Sequence, residues 1–359
     1  MKKTIFVISF VITSLLPFQK LQAQQTTDPK FVISAETKNQ VVTSFLKNLK
    51  DNYIFPEVAN ASEAKITEFQ KSDDYQNTTN ANDFAKLLTD NFRKIINDKH
   101  IGLRFNPDAK TSKPTKADEK RESERYQKAL AKRNFGFPKV EILRGNIGYL
   151  KVDGFAPVAF ADQTASAAMA YLSNTDAIII DLRENGGGEP AMVRFLSSYF
   201  FDKKPVHLND LYYRKGNKTV EYWTLKNIPG TRYTNKAVYV LTSNNTFSGG
   251  EEFANNLKVL KRGTLLGETT GGGANPGDMV DLTDGFSAFI PNGRAINPIT
   301  KTNWEGVGVI PDIKTDAKNA QTEAHILALT KLIETTQDEM AKGFYTRNLD
   351  FIQKQNAEK

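Results

Sequence analysis

Ser248 is the residue of this sequence best placed for covalent chemistry. An apolar, strand-like run from Ala237 to Leu241 leads into Thr246-Phe247-Ser248-Gly249-Gly250, and an amphipathic helix carrying Phe253, Leu257 and Leu260 begins directly afterwards. A nucleophile at a strand-to-helix turn meets backbone N–H groups that have no intrahelical acceptor. The N–H of Gly249 would stabilise charge developing on a carbonyl oxygen attacked by Ser248. The same pattern fits a serine that only caps its helix. Thr246 also stands where a G-x-S-x-G elbow has its first glycine. Local pattern alone leaves both readings open.

A second turn, Asn185-Gly186-Gly187-Gly188, follows the apolar strand Ala177 to Ile180 and leads to Glu189-Pro190, which suits a helix start. Glycine lets a substrate lie against the main chain, so Gly187 and Gly188 are further candidate donors to an oxyanion hole. Gly186-x-Gly188-x-x-Ala191 also fits the dinucleotide fingerprint. Five residues separate Ile180 from Gly186, however, which is longer than that tight turn allows, and no companion βαβ half is evident. No cofactor is expected.

A serine nucleophile needs a base, and the chain has three histidines. His325 lies within a closing helix and His207 between Val206 and Leu208 of a strand-like run, so both read as structural. His100 follows a helix end in Asn97-Asp98-Lys99-His100 and heads a short strand at a domain boundary, where sites tend to form. Glu305, in Trp304-Glu305-Gly306-Val307-Gly308, is the carboxylate best placed to orient that imidazole. Zero cysteines exclude a thiolate site, and the isolated histidines form no H-E-x-x-H pair, so no metal is expected. Ser44-x-x-Lys47, Ser243-Asn244-Asn245 and Lys301-Thr302-Asn303 imitate the penicillin-binding set. The last lacks its glycine, and the first lies on an amphipathic helix surface.

The elements that must position these residues follow from composition and periodicity. The 359 residues are 39% hydrophobic and 25% charged, an ordinary globular balance that suits one large domain or two. Met1-Lys2-Lys3, an uncharged and mostly apolar stretch to Gln19, and a cleavage site after Ala23 form the layout of a signal peptide over residues 1–23. The apolar core is shorter than the ~20 residues a membrane anchor needs. Without that leader the formal charge falls from +7 to 45 − 41 = +4. The basic residues are interspersed with acids rather than gathered on one face, which argues against nucleic-acid binding.

Residues 30–97 carry helical apolar spacing and read as an N-terminal helical domain, with Asn82 or Asp83 capping its last helix. Residues 98–138 are a charged connecting segment that carries the candidate base. Residues 139–345 alternate strands and helices, which implies a parallel α/β core. A closing helix runs from about Ala317 to Lys342, and residues 346–359 read as a C-terminal tail.

Taken in order, several blocks resemble the S41 peptidases, the tail-specific and carboxy-terminal processing proteases. They are Gly148-Tyr149-Leu150, Ile180-Asp181-Leu182-Arg183-x-Asn185-Gly186-Gly187-Gly188, Phe247-Ser248-x-x-Glu251, Gly267-Glu268-Thr269-Thr270-Gly271 and Glu305-Gly306-Val307-Gly308-Val309-x-Pro311-Asp312. The resemblance implies a ClpP/crotonase-like core with an N-terminal helical domain. Gly273 stands where tail-specific members carry the lysine of a Ser/Lys dyad, and there is no room for their PDZ domain. The chain is therefore more similar to the branch of the tricorn core and the interphotoreceptor retinoid-binding-protein-like members. That branch implies a base at His100 and a late glutamate at Glu305, although Lys99 stands where the tricorn type has a serine.

The expected protein is an exported, periplasmic or secreted serine-type peptidase acting on peptides or proteins. Its site would comprise Ser248, His100 and Glu305, with Gly249 and Gly187 or Gly188 in the oxyanion hole. A non-catalytic carrier of apolar ligands or peptides on the same fold is the alternative, and nothing in the sequence sets the oligomeric state.

Overall fold

The computed structural model of the chain describes residues 31–108 and 115–358. The leader expected at 1–23 lies outside these residues. The front of the chain is helical: α1 (Ala35–Asn52), α2 (Pro56–Phe69), α3 (Asp73–Asn77) and α4 (Ala81–Ile96). Apolar residues three and four apart bring Val41, Phe45 and Leu49 of α1 against Phe84, Leu88 and Phe92 of α4. The rings of Phe45 and Phe92 lie 4.6 Å apart. Each fully buried side chain of this size stabilises by roughly 1.5–3 kcal/mol. The α4 cap is Asn80 rather than Asn82 or Asp83, because its side chain accepts from the N–H groups of those two first-turn residues.

After α4 come strand β1 (Gly102–Phe105) and helix α5 (Lys116–Ala131). A Thr115–Asp118 capping box starts α5, which buries none of its residues. The central sheet then begins with β2 (Lys139–Leu143) and β3 (Ile147–Lys151), joined by a turn in which Gly145 and Asn146 take φ of 75° and 61°. Next are α6 (Val158–Leu172), β4 (Ala177–Asp181), α7 (Pro190–Ser197), β5 (His207–Tyr213), β6 (Lys218–Trp223), β7 (Ala237–Thr242), α8 (Gly249–Val259) and β8 (Thr264–Gly267). The chain ends with β9 (Gly277–Asp281), β10 (Phe286–Pro291), β11 (Gly293–Ile296), β12 (Ile313–Lys314), α9 (Ala317–Thr335) and α10 (Glu339–Ala357).

Strand order in the central sheet is β12-β8-β7-β4-β3-β2, parallel except for the β2 edge. Its inner strands read as unbroken apolar runs because both faces are covered. Ile178 and Ile180 face the layer of α6, α7 and α8, whereas Ile179 faces α9 and α10. A second sheet, β1-β10-β9, ties the front of the chain to the core, with Leu103 opposite Ala288. Phe286, Ala288 and Ile290 of β10 complete the helical cluster. The third sheet is β11-β5-β6.

The expected tail at 346–359 is helical over its described part, which corrects that reading. α9 stops at Thr335, Asp338 caps a new helix by accepting from Met340 and Ala341, and α10 returns along α9 to bury Tyr345 and Ile352. Only two buried positions a heptad apart mark that helix. Among the described residues, no helix is long and apolar enough to cross a membrane.

Candidate active site

Ser248 joins the end of the β7 limb to α8 and has φ 54° and ψ −117°, a left-handed conformation that a serine adopts only when its surroundings hold it there. The restraint comes from Glu251, which is fully buried. Its Oε2 accepts from the N–H groups of Ser248 at 2.9 Å and Gly273 at 2.8 Å, and its Oε1 accepts from Thr270 Oγ1 and the Gly272 N–H. The loop before Ser248 is tied to the glycine turn as well, because the Phe247 N–H donates to the Asn185 carbonyl at 2.9 Å.

Asn185 also decides which glycines can face a substrate. Its Oδ1 accepts from the Gly187 N–H at 2.8 Å, and its Nδ2 donates to the Val152 carbonyl at 2.8 Å. This removes Gly187 from the expected oxyanion donors, since its single N–H is already committed. Gly187 instead provides space: a Cβ there, at φ 101°, would lie 2.7 Å from the Ser248 Cβ. The N–H groups of Gly188 and Gly249 have no acceptor among the described residues. They are also close together, since a Cβ on Gly249 would lie 3.2 Å from the Gly188 nitrogen.

His100 reaches the same cavity from the link between α4 and β1, and its side chain is 9% exposed. Phe247 and Phe289 flank the ring, with centroids 4.6 and 6.0 Å away. Neither ring nitrogen is hydrogen-bonded. Burial lowers the imidazole pKa, Asp98 opposes that shift and Arg93 adds to it. The cavity has a volume of about 480 Å³ and is lined by Ser248, His100, Gly188 and Gly249, with Phe289 and Trp304 among its apolar walls.

Glu305 comes into the same cluster, but it shares that place with Asp98, which sequence reasoning missed. Asp98 Oδ1 lies 3.8 Å from His100 Nδ1, and one ligand atom from each of Asp98, His100 and Glu305 falls within 4.8 Å of the others. Asp98 is held by its own contacts, accepting from Tyr53 Oη at 3.1 Å, Asn275 Nδ2 at 3.0 Å and the His100 N–H at 2.9 Å. Glu305 Oε2 accepts from the Ala274 N–H, while its buried Oε1 has no partner. Burial, and then the negative charge of Asp98, push the Glu305 carboxyl up to about 7. A carboxyl of this kind can change charge near neutral pH beside an imidazole. An Asp/His/Glu set is also a donor set that a divalent cation accepts.

The other two histidines lie elsewhere. His207 pairs with Asp210 at 2.7 Å and stacks on Trp223, and a ring nitrogen of His325 bonds the Arg144 carbonyl at 2.7 Å. Ser44 and Lys47 lie on α1, where Lys47 pairs with Asp51 at the surface.

The model of peptidase family S41 matches residues 146–315, and that of the family's N-terminal domain, described from eukaryotic IRBP, matches residues 33–144. The chain belongs to peptidase family S41. It is similar to the chloroplastic carboxyl-terminal-processing peptidase 2 of Arabidopsis thaliana, at 27% identity over 179 residues, which is 46% of this chain and 31% of that protein. The chloroplastic C-terminal processing peptidase of Tetradesmus obliquus is 27% identical over 189 residues, 49% of this chain and 37% of its own length. The similarity thus spans roughly a third of these curated relatives. A solved structure from Parabacteroides merdae shares the fold at a TM-score of 0.52 and 18% identity, covering 78% of this chain and 90% of its own. A lipoprotein from Streptococcus agalactiae does so at 0.51 and 15%, covering 84% and 99%.

Proposed function

We propose that the protein is a serine-type peptidase in which Ser248 is the nucleophile, His100 the base, and Glu305 with Asp98 the carboxylates that hold the imidazolium. The Ser248 hydroxyl attacks a peptide carbonyl and passes its proton to neutral His100. The carbonyl oxygen, now negative, is received by the N–H groups of Gly188 and Gly249. Collapse of this intermediate expels the amine, which takes the proton from His100, and water then releases the acyl group by the same route in reverse. The lowered pKa keeps His100 neutral and able to accept the proton at neutral pH. The hydrogen bond between His100 and Ser248 is one that substrate completes, as is common at unliganded sites.

The observation that carries this reading is the strained Ser248, with two uncommitted N–H groups beside it, in the cavity that His100 also lines. Incubation with a fluorophosphonate and peptide mass mapping tests it. The expected label sits on Ser248 and is lost in Ser248→Ala and in His100→Ala. A folded wild-type protein that takes no label would remove the activated nucleophile and favour a carrier of apolar ligands. Export, read from residues 1–23, is a separate proposal, tested by the amino terminus of the mature protein.

A further inference from the structure

A buried carboxylate that the proposed mechanism does not use stands one helical turn beyond the nucleophile. Glu252 is 4% exposed, its N–H donates to the Ser248 carbonyl at 3.0 Å, and its side chain lines the cavity that holds Ser248 and His100. Ser248 precedes α8 and Glu252 lies in its first turn, so both residues line the cavity from the start of the same helix. Its Oε1 is buried without a hydrogen-bond partner, and it forms no ion pair with any described cation.

Its neighbours repeat the pattern. Asn209 enters from β5 at a register shift in the pairing with β6, the kind of irregularity that re-aims a side chain. It is 0% exposed and has neither amide atom at hydrogen-bond geometry; burial pushes the Glu252 carboxyl up to about 8, and Asn209 opposes that shift. Asn256, four residues beyond Glu252 on α8, is likewise fully buried with both amide atoms unpartnered. Buried polar groups without partners are rare in folded chains and costly, at roughly 1–3 kcal/mol each.

The wider cavity has one sign of charge. Glu189 and Asp278 line it with Glu252, and no lysine or arginine is among its lining residues. Tyr213, also in the wall, is pushed up to about 12 by burial first, then by Tyr222, Asp278, Glu252 and Glu189. On α7, Arg194 lies over the Tyr222 ring at 5.9 Å and makes no ion pair with Glu252.

We infer that Glu252, set off from Ser248 by one helical turn in this acid-lined cavity, is a specificity residue that receives a lysine or arginine side chain of the substrate. The cation belongs to the residue whose carbonyl Ser248 attacks, because Glu252 lines the same cavity within one helical turn of Ser248. A primary ammonium or guanidinium supplies the donors that Glu252 Oε1 lacks and its charge draws the buried carboxyl into the ionised form, while its aliphatic stem packs on Leu211 and Ala295 of the same wall. This inference rests on the peptidase reading for its position relative to the scissile bond, but not for the binding itself.

The test separates the two. Acetylated, amidated hexapeptides of alanine with lysine, arginine or norleucine at one central position are titrated calorimetrically into the Ser248→Ala protein. The lysine and arginine peptides are expected to bind at least about tenfold more tightly than the norleucine peptide, which has nearly the shape of lysine without its charge. Adding Glu252→Gln should erase that difference and leave norleucine binding within about threefold. Equal binding of lysine and norleucine peptides to Ser248→Ala overturns the inference without need of any Glu252 variant. So does a lysine preference that survives Glu252→Gln in a protein whose thermal melt is unchanged. If lysine is selected through Glu252 yet the wild-type protein cleaves none of the peptides, the subsite stands and the peptidase reading falls.

Discussion

The Ser248 N–H donates to Glu251 Oε2, three residues along the chain, so the peptide group of Ser248 is pinned by the helix it starts. The same carboxylate holds Thr270, Gly272 and Gly273, which places the loop passing under His100 in register with the nucleophile. Under the proposed mechanism Glu251 is a positioning residue. Glu251→Gln keeps the shape but turns an amide NH2 toward N–H or O–H donors. It is expected to destabilise by about 2–4 kcal/mol, read as a lower melting temperature, and to slow fluorophosphonate labelling. An unchanged melt would show that the four contacts contribute little.

The pH dependence follows from the cluster of two carboxylates and an imidazole. His100 must be neutral to accept a proton, and burial holds its pKa below the usual histidine value. Glu305 must be ionised to stabilise the imidazolium, and its carboxyl is pushed up to about 7. Activity should therefore rise through pH 7 as Glu305 loses its proton, rather than through the lower pKa of His100. Glu305→Gln is expected to move this acid limb downward and to lower the plateau by about 10²-fold or more. A limb that stays in place in kcat/KM would assign it to another group.

Asp98 raises the pKa of both partners, since its negative charge favours protonation of Glu305 and of His100. Asp98→Asn should consequently shift the acid limb toward lower pH, the same direction as Glu305→Gln, while the carboxylate of Glu305 remains. Nuclear magnetic resonance titration of the His100 ring checks the sign independently. An upward shift would mean that Asp98 acts through its hydrogen bonds to Tyr53 and Asn275 instead of its charge.

Gly273 is the least tolerant position around the imidazole. A Cβ there would lie 2.7 Å from His100 Cε1 and 2.2 Å from Phe247 Cζ. Gly273→Ala must displace the ring or the phenylalanine, and is expected to cost about 10²-fold in turnover, as misplacement by about 1 Å does elsewhere. The same crowding leaves no room for a longer side chain at 273 beside His100 and Phe247. Equal turnover in Gly273→Ala would mean that the ring has room to move without consequence.

Asp98, His100 and Glu305 also offer a donor set for a divalent cation. Under the proposed mechanism, treatment with excess chelator leaves peptide cleavage and fluorophosphonate labelling unchanged. Loss of cleavage that zinc restores would convert these three residues from a proton relay into ligands.

The nucleophile's surroundings were legible because they are local: a strand, a serine, two glycines and an amphipathic helix adjoin in sequence, as do the Ile178–Ile180 run and its glycine turn. His100 could be found because few histidines compete with it. Asp98 was not found although it stands two residues before His100. Its role depends on Tyr53 and Asn275, which chain order places far away. Gly187 and Gly188 cannot be told apart by type, since only the Asn185 side chain decides whose N–H is spent. α10 escaped because two buried residues a heptad apart give too thin an apolar stripe to read.

The pairing of β1 with β10 has a consequence for how activity could be lost. Ser248, Gly188, Gly249 and Glu305 belong to the stretch after residue 139, whereas His100 and Asp98 precede it and are held in place through Leu103 opposite Ala288, Asn275 on Asp98, and Lys99 on the Gly271 carbonyl. Neither stretch holds a complete set of reacting groups. Leu103, Phe286, Ala288 and Ile290 of this seam also belong to the helical cluster, so a lesion there would loosen that cluster and silence the enzyme while sparing the central sheet, and heat or denaturant should extinguish turnover before the central sheet unfolds.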